Sequence, residues 1–274
     1  MNKNKNKNKF KETMKEFRES KRSSVVVYLI LRALIIFCGV FQLLRGNFQV
    51  TFLCIFALLL LTMPIILQKK FKMVLPNTLE IIIFLFIFSA QILGEIFNFY
   101  GNVPHWDTML HTINGFLCAG IGFALVDLLN ENAKSIKLSP LYLSLAAFCF
   151  SMTVGVCWEF FEYSLDKFML YDTQKDTIVT TISTVWLDPT QSNSTVVIKE
   201  IAETILYDSN GNVLTVIEGG YLDIGINDTM KDLFVNLIGA VVFSTLGFFY
   251  VKNREKHKIS KHFIPEKAQD SSES

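Results

Sequence analysis

Alternation of apolar and polar residues, the mark of a soluble core built from amphipathic elements, is scarce in most of this chain. Its apolar residues arrive in blocks instead. With 51% of 274 residues hydrophobic, that pattern points away from a water-soluble globule. Positive charge is nearly missing from three stretches, 45–47, 98–106 and 164–227, which together hold 4 of the 26 Lys and Arg. Paired cysteines are missing too. Cys38, Cys54, Cys118, Cys149 and Cys157 all fall inside apolar runs and none forms a C-x-x-C pair. That excludes a disulfide framework and a cysteine zinc site, and leaves small packing residues. No small-x-small cleavage site closes the first apolar run, so it reads as a retained signal anchor. No internal repeat is evident.

What the chain does have is length in its apolar runs. Val25–Leu44, Phe48–Leu67 and Leu79–Phe97 each match the thickness of a bilayer core. Asp107–Leu129, Ser139–Tyr163 and Asp228–Val251 are slightly longer and carry polar groups at one end. The expected fold is an all-α membrane protein of six transmembrane helices with a small β-hairpin-containing extracytoplasmic insertion. The fourth helix, the most polar, is the candidate for a partly re-entrant segment. The expected parts are a basic disordered tail over 1–24, helices one to five over 25–163, the insertion over 164–227, helix six over 228–251 and a second basic tail over 252–274.

Threading follows from charge. Segments 1–24, 68–78, 130–138 and 252–274 hold 20 of the 26 Lys and Arg. Positive loops stay inside, so both termini are expected in the cytoplasm and 164–227 outside. The basic tail of Lys and Asn serves as a solvated orienting segment. It lacks the interleaved aromatics of a nucleic-acid binder, so the lipid bilayer is the expected partner and nucleic acid is not.

The 164–227 segment is acidic, with nine Asp and Glu against three Lys. Val196–Ile198, Thr204–Tyr207 and Val213–Ile217 are β-prone. Asn210-Gly211 between the last two predicts a hairpin. Asp208-Ser209-Asn210-Gly211-Asn212 starts like a calcium loop, but the loop's sixth position is Val213 and its twelfth is Gly219, which excludes calcium.

Ionisable residues in membrane spans are costly and are functional suspects. Seven gather at the extracytoplasmic ends: Glu95, Asp107, His111, Glu159, Glu162, Asp228 and Asp232. Asp107, His111 and Asn114 share one helical stripe, as do Glu159 with Glu162, and Asp228 with Asp232 and Asn236. At 1.5 Å per residue, His111, Glu159 and Asp232 each lie about one turn from the interface. Asp107 and Asp228 each open a helix, where Asp serves equally well as an N-cap. Lys231 can neutralise Asp228, and Glu95 is peripheral.

Six carboxylates with so little positive charge demand a remedy. Either some are protonated and share hydrogen bonds, or a cation sits among them. Carboxylates with one imidazole suit a divalent Mn, Fe, Zn or Mg. The expected metal ligands are His111, Glu159, Glu162 and Asp232. Asp107 is the expected base, with Glu159 and Glu162 also catalytic, and Asn114, Asp228, Asn236 and Glu95 supporting. A purely structural hydrogen-bond network is the plain alternative.

Three motifs carry a resemblance. Asp107-Thr108-Met109-Leu110-His111-Thr112-Ile113-Asn114-Gly115 is the first. Trp158-Glu159-Phe160-Phe161-Glu162 follows, then Asp228-Thr229-Met230-Lys231-Asp232 running on to Asn236 and Gly239. In this order they resemble the YjdF-type bacterial integral membrane proteins, over roughly residues 75–250. A looser similarity to VanZ-like membrane proteins rests on Asp107/His111, Glu159 or Glu162, and Asp232/Asn236/Gly239. The 164–227 segment departs from both patterns. The resemblance implies a multi-pass protein of the bacterial cell membrane without assigning a reaction; VanZ-like proteins are associated with the cell envelope. The functional expectation is a metal-binding envelope enzyme acting on a lipid or lipid-linked substrate. A small ion- or proton-coupled transporter and a non-catalytic scaffold remain the alternatives.

Overall fold

The computed structural model describes residues 2–71, 73–132, 137–252 and 266–267. Among them six helices are long and apolar enough to cross a membrane: Ser23–Leu44, Phe48–Phe71, Asn77–Ile96, Trp106–Asn130, Pro140–Met169 and Ile226–Lys252. Each coincides with an expected span. Large apolar side chains on them stand exposed, Phe37 at 72%, Leu129 at 71% and Phe160 at 66%. Patches of that kind are rarely tolerated in water and are the normal surface of a helix in lipid.

The chain divides into two compact units, one of residues 1–155 with 235–274, the other of 156–234. In the first, α1 (Asn2–Leu44), α2 (Phe48–Phe71) and α3 (Asn77–Phe88) pack around Ile35, Cys54, Ala57, Leu61, Leu79 and Phe84. A second core joins α5 (Trp106–Asn132), the first part of α6 (Pro140–Met169) and the later turns of α7 (Ile226–Lys252). Its members are Ala119, Phe123, Leu143, Ala147, Ala240 and Phe243. Phe116 and Phe243 meet edge to face, with ring centroids 5.0 Å apart. The short α4 (Phe99–Asn102) leads into α5, and β1 (Met73–Val74) pairs antiparallel with β8 (Glu266–Lys267).

Three features differ from the sequence expectation. The tail is not irregular: α1 starts at Asn2 and runs on as one helix through Leu44. Lys, Arg and Glu are good helix formers, and extending an existing helix avoids the cost of nucleation. The fourth span is not re-entrant, since α5 is one continuous helix. Asp107, His111 and Asn114 lie on a single stripe of it. The third span ends in a π-helical run, Ser89–Ile96, that carries Glu95. There the side chain of Tyr100 fills the space over Gly94, where a Cβ would come within 2.4 Å of the ring. The expected second basic tail, 252–274, lies largely outside the described residues.

The second unit holds the end of α6, the start of α7 and six short strands: β2 (Ile178–Val179), β3 (Ile182–Thr184), β4 (Val196–Ile198), β5 (Glu203–Tyr207), β6 (Val213–Glu218) and β7 (Tyr221–Leu222). They form three antiparallel pairs, β2 with β7, β3 with β4 and β5 with β6. The hairpin expected at Asn210-Gly211 is β5–β6, with a register shift at Leu206/Tyr207. Its turn is made by Asp208, whose Oδ1 accepts the backbone N–H groups of Asn210 and Asn212, each at 2.8 Å. Gly211 takes the left-handed conformation there, at φ 84°.

Candidate functional site

In the first unit the polar stripe of α5 forms as its spacing requires. Asp107 lies in the helix's first turn, where the helix dipole favours negative charge. Its Oδ1 is 3.3 Å from His111 Nε2, one turn along. Both side chains are largely buried. A turn further on, Asn114 Nδ2 donates to Asn236 Oδ1 of α7 at 3.2 Å, and its own Oδ1 accepts from the Cys118 thiol at 3.4 Å.

Asn236 is the most enclosed polar residue of this group, 1% exposed. Its amide also reaches Met152 Sδ of α6 at 3.6 Å. Glycine makes that position accessible. A Cβ on Gly155 would come within 2.7 Å of Asn236 Nδ2. A Cβ on Gly115 would lie 2.0 Å from the carbonyl oxygen of Asn236, and one on Gly239 2.0 Å from that of Thr112. The helices α5 and α7 therefore touch backbone to backbone, which small residues permit in membranes. Ser151 Oγ donates to the Gly115 carbonyl at 2.8 Å and ties α6 to the same point.

In the second unit Glu159 is buried at 5% exposure. Gln174 Nε2 approaches its Oε2 at 3.4 Å and donates to Thr229 Oγ1 at 2.5 Å. Gln174 thus links the end of α6 to the first turns of α7. It is held by Asp166, whose carboxylate accepts the backbone N–H groups of Thr173 at 2.7 Å and Gln174 at 2.9 Å. Gly225 leaves room for it, since a Cβ there would meet Gln174 Cβ at 2.8 Å. Glu162 is half-buried, and its backbone carbonyl accepts the Thr173 hydroxyl at 3.1 Å.

Asp228 lies within the first turn of α7 and accepts the backbone N–H of Lys175 at 2.9 Å. Lys231 sits 3.5 Å from Asp228 and 3.8 Å from Asp232, so the one lysine of this helix start serves two carboxylates. Asp232 itself is 3% exposed. Glu95 lies half-buried in the π-helical run.

The turn before α7 is organised by Asp223, which sequence reasoning did not single out. Its Oδ1 accepts from Thr177 N at 2.7 Å and Gly225 N at 3.1 Å, and its Oδ2 from Asn227 N at 3.0 Å and from the Asn227 side-chain amide. Burial acts to raise its pKa, but these N–H donors outweigh it and hold the carboxyl below its ordinary value. Asp176 is shifted the other way, by burial and by the charges of Asp172, Asp223 and Asp166.

Within each unit, then, the expected residues do meet partners: Asp107 with His111, Asn114 with Asn236, and Asp228 and Asp232 with Lys231. Glu159 is met by Gln174. Asp166 continues the Glu159/Glu162 stripe of α6 at i+7 and could have been found from it, whereas Gln174 and Asp223 carried no helical periodicity to reveal them. Short loops that follow a helix end and hold Asp, Thr or Gln were the available signal.

Comparison with known proteins agrees with the membrane reading. Residues 24–253 match the family described as "Predicted membrane protein (DUF2238)". That range takes in all three motifs. An uncharacterized protein of Thermotoga maritima is 27% identical over 152 residues, covering 55% of this chain and 70% of the relative. No solved structure matches the chain. With most of its length matched, and with six helices of membrane-spanning length and composition, the chain belongs to the DUF2238 family of predicted membrane proteins.

Proposed function

We propose that the protein is a metal-dependent enzyme of the bacterial cell membrane that acts on a lipid or lipid-linked substrate. Both termini are cytoplasmic and the reacting groups lie at the extracytoplasmic helix ends, a threading supported by the 20 of 26 Lys and Arg in the other loops. The observation that carries the reading is the Asp107–His111 pair, 3.3 Å apart in the opening turns of a membrane helix. A carboxylate at one imidazole nitrogen fixes the orientation of the ring, the usual support of a histidine ligand.

The stripe spacing of Asp228, Asp232 and Asn236 along α7, i, i+4 and i+8, is what recommends Asp232 as a ligand. His111 and Asp232 offer an imidazole and a carboxylate, donors suited to divalent Mn, Fe, Zn or Mg. Glu159 and Glu162 complete the ligands. A cation held by these residues would supply Lewis-acid chemistry towards a phosphoryl or carbonyl oxygen or a water, and Asp107 would take the proton as general base.

Metal analysis of the purified protein tests this. The expected result is about one divalent metal per chain, lost in His111→Ala and in Asp232→Asn. Protein with no stoichiometric metal, unchanged by His111→Ala, overturns it.

A second reading, a small ion- or proton-coupled transporter, has its own observation. Glu80 and Asp127 are buried at the other ends of α3 and α5, so carboxylates occur at both ends of the span. Glu80 is engaged by Gln68 at 2.9 Å, whose Oε1 accepts Leu75 N, which suits a structural cap. Proton- or metal-driven uptake in proteoliposomes would reverse the order of the two readings.

A further inference from the structure

Between α3, α5 and α7, within the first unit, lies a groove of about 290 Å³ that is open on one side. Its walls are Ile82 of α3, Thr112, Ile113 and Phe116 of α5, and Gly239 and Val242 of α7. Thr112 contributes no free hydroxyl, because its Oγ1 donates to the Thr108 carbonyl at 2.7 Å. The groove is thus apolar throughout. It is also built in, since at Gly239 a side chain would run into the Thr112 carbonyl. Two helices that touch through backbone leave a furrow along the contact.

We propose that this groove seats a hydrocarbon chain of the lipid substrate. The proposal rests on the lipid-directed reading above and names how that substrate is held. Three observations support it. First, the groove lies on membrane-spanning helices beside residues that face hydrocarbon, Ile238, Val241 and Val242 all being exposed. A furrow left empty there forfeits dispersion contacts on every wall, and acyl chains are the material at hand. Second, its depth matches. Thr112 and Phe116 lie one and five residues beyond His111, about 1.5 and 7.5 Å down the helix. A chain in the groove brings its head towards Asp107 and His111. Third, its size suits one chain: 290 Å³ holds about ten water-sized groups at about 30 Å³ each, and a methylene is of similar bulk.

The drive for seating is not hydrophobic, because lipid tails are as apolar as the groove. It is packing, plus whatever the head gains at the polar end. The groove therefore selects by shape, favouring a single slender chain over a bulky ring system.

The test uses the full-length protein in nanodiscs of phosphatidylethanolamine and phosphatidylglycerol, doped with a phospholipid that carries a photoreactive diazirine in mid-chain. Adducts are mapped by mass spectrometry, with and without chelator. Labelling is expected to concentrate on Ile82, Phe116 and Val242, several-fold above Val241 and Leu246. Val242→Phe, which fills the groove, should cut labelling of Phe116 several-fold, while Val241→Phe should not. Ile82→Phe fills it from the opposite wall and serves if Val242→Phe is not monodisperse. Even labelling of all lipid-facing residues, or labelling indifferent to both filling variants, overturns the proposal. So does a dimer whose second copy covers the groove and excludes the probe. Labelling that survives chelation supports the groove even if metal analysis fails, and metal retained in Val242→Phe supports the metal reading even if labelling fails.

Discussion

Replacing Gly239 by Ala should separate α5 from α7, and the structure sets the size of the effect. The new Cβ would lie 2.0 Å from the Thr112 carbonyl oxygen, whereas real Cβ contacts essentially never fall below 3.0 Å. The helices must part by about 1 Å at that point. Overpacking of this kind costs about 1–3 kcal/mol. The Asn114–Asn236 hydrogen bond, now 3.2 Å, is carried beyond bonding range, which adds about 0.6 kcal/mol for a membrane interhelical bond. The sum is about 2–4 kcal/mol, or about 4–8 °C in melting temperature for a chain of this size. Gly115→Ala should match it, because its Cβ meets the Asn236 carbonyl at the same 2.0 Å. Gly120→Ala should lose less than half as much, since its Cβ meets only the Phe243 ring edge at 3.0 Å. The assay is the temperature at which the detergent-solubilised protein loses its monodisperse chromatographic peak. A Gly239→Ala protein that melts with the wild type, or no lower than Gly120→Ala, would refute the backbone-contact argument.

Gln174→Ala removes the side chain that joins Glu159 to Thr229. It should destabilise the 156–234 unit by about 1–2 kcal/mol, seen as faster limited proteolysis within 170–225; unchanged cleavage counts against the bridge. Asp223 titrates low when folded, against about 3.9 unfolded, so its stabilisation is present above that value and fades as pH falls through the lower folded pKa. Asp223→Asn should therefore melt below the wild type at pH 7 and approach it as the pH falls through the lowered folded pKa; a gap that widens with acid contradicts this. In a cysteine-free background, Ser192→Cys should react with an impermeant maleimide on intact cells and Ser139→Cys only after permeabilisation. The reverse pattern would invert the threading.

The spans were legible because a bilayer imposes a length, and Val25–Leu44 or Phe48–Leu67 meet it without help from context. The hairpin was legible because Asn210-Gly211 supplies the turn chemistry and the flanking residues the β-preference. What escaped were features set by tertiary contact. The π-helical run Ser89–Ile96 lies where Tyr100 packs over Gly94, a contact that no local pattern announces. The helix over residues 2–24 extends a neighbour's helix, so the composition of the tail alone misjudged it. The polar stripe of α5 was read from the i, i+4 spacing of Asp107 and His111, and the pair forms. Gln174 and Asp223 were invisible because a loop residue gains its role from where the chain returns, not from its period.

The glycines and asparagines of α5 and α7 explain one another. An Asn side chain in a membrane span is tolerable only with a partner, since hydrocarbon offers no hydrogen bonds. Asn114 and Asn236 become partners because Gly115 and Gly239 let the two backbones meet. Packing of apolar side chains alone would leave α5 free to slide or turn against α7 at small cost. The amide pair removes that freedom, because a slip of one residue rotates a helix by about 100° at 3.6 residues per turn and strands both amides. Asp107 and His111 lie on the stripe that Asn114 continues, and Asp232 on the stripe that Asn236 continues. Ligands carried by two separate helices, as in the reading proposed above, would depend on that fixed register. On the metal reading proposed above, the Gly239→Ala variant should also lose metal more readily than its melting temperature alone would suggest.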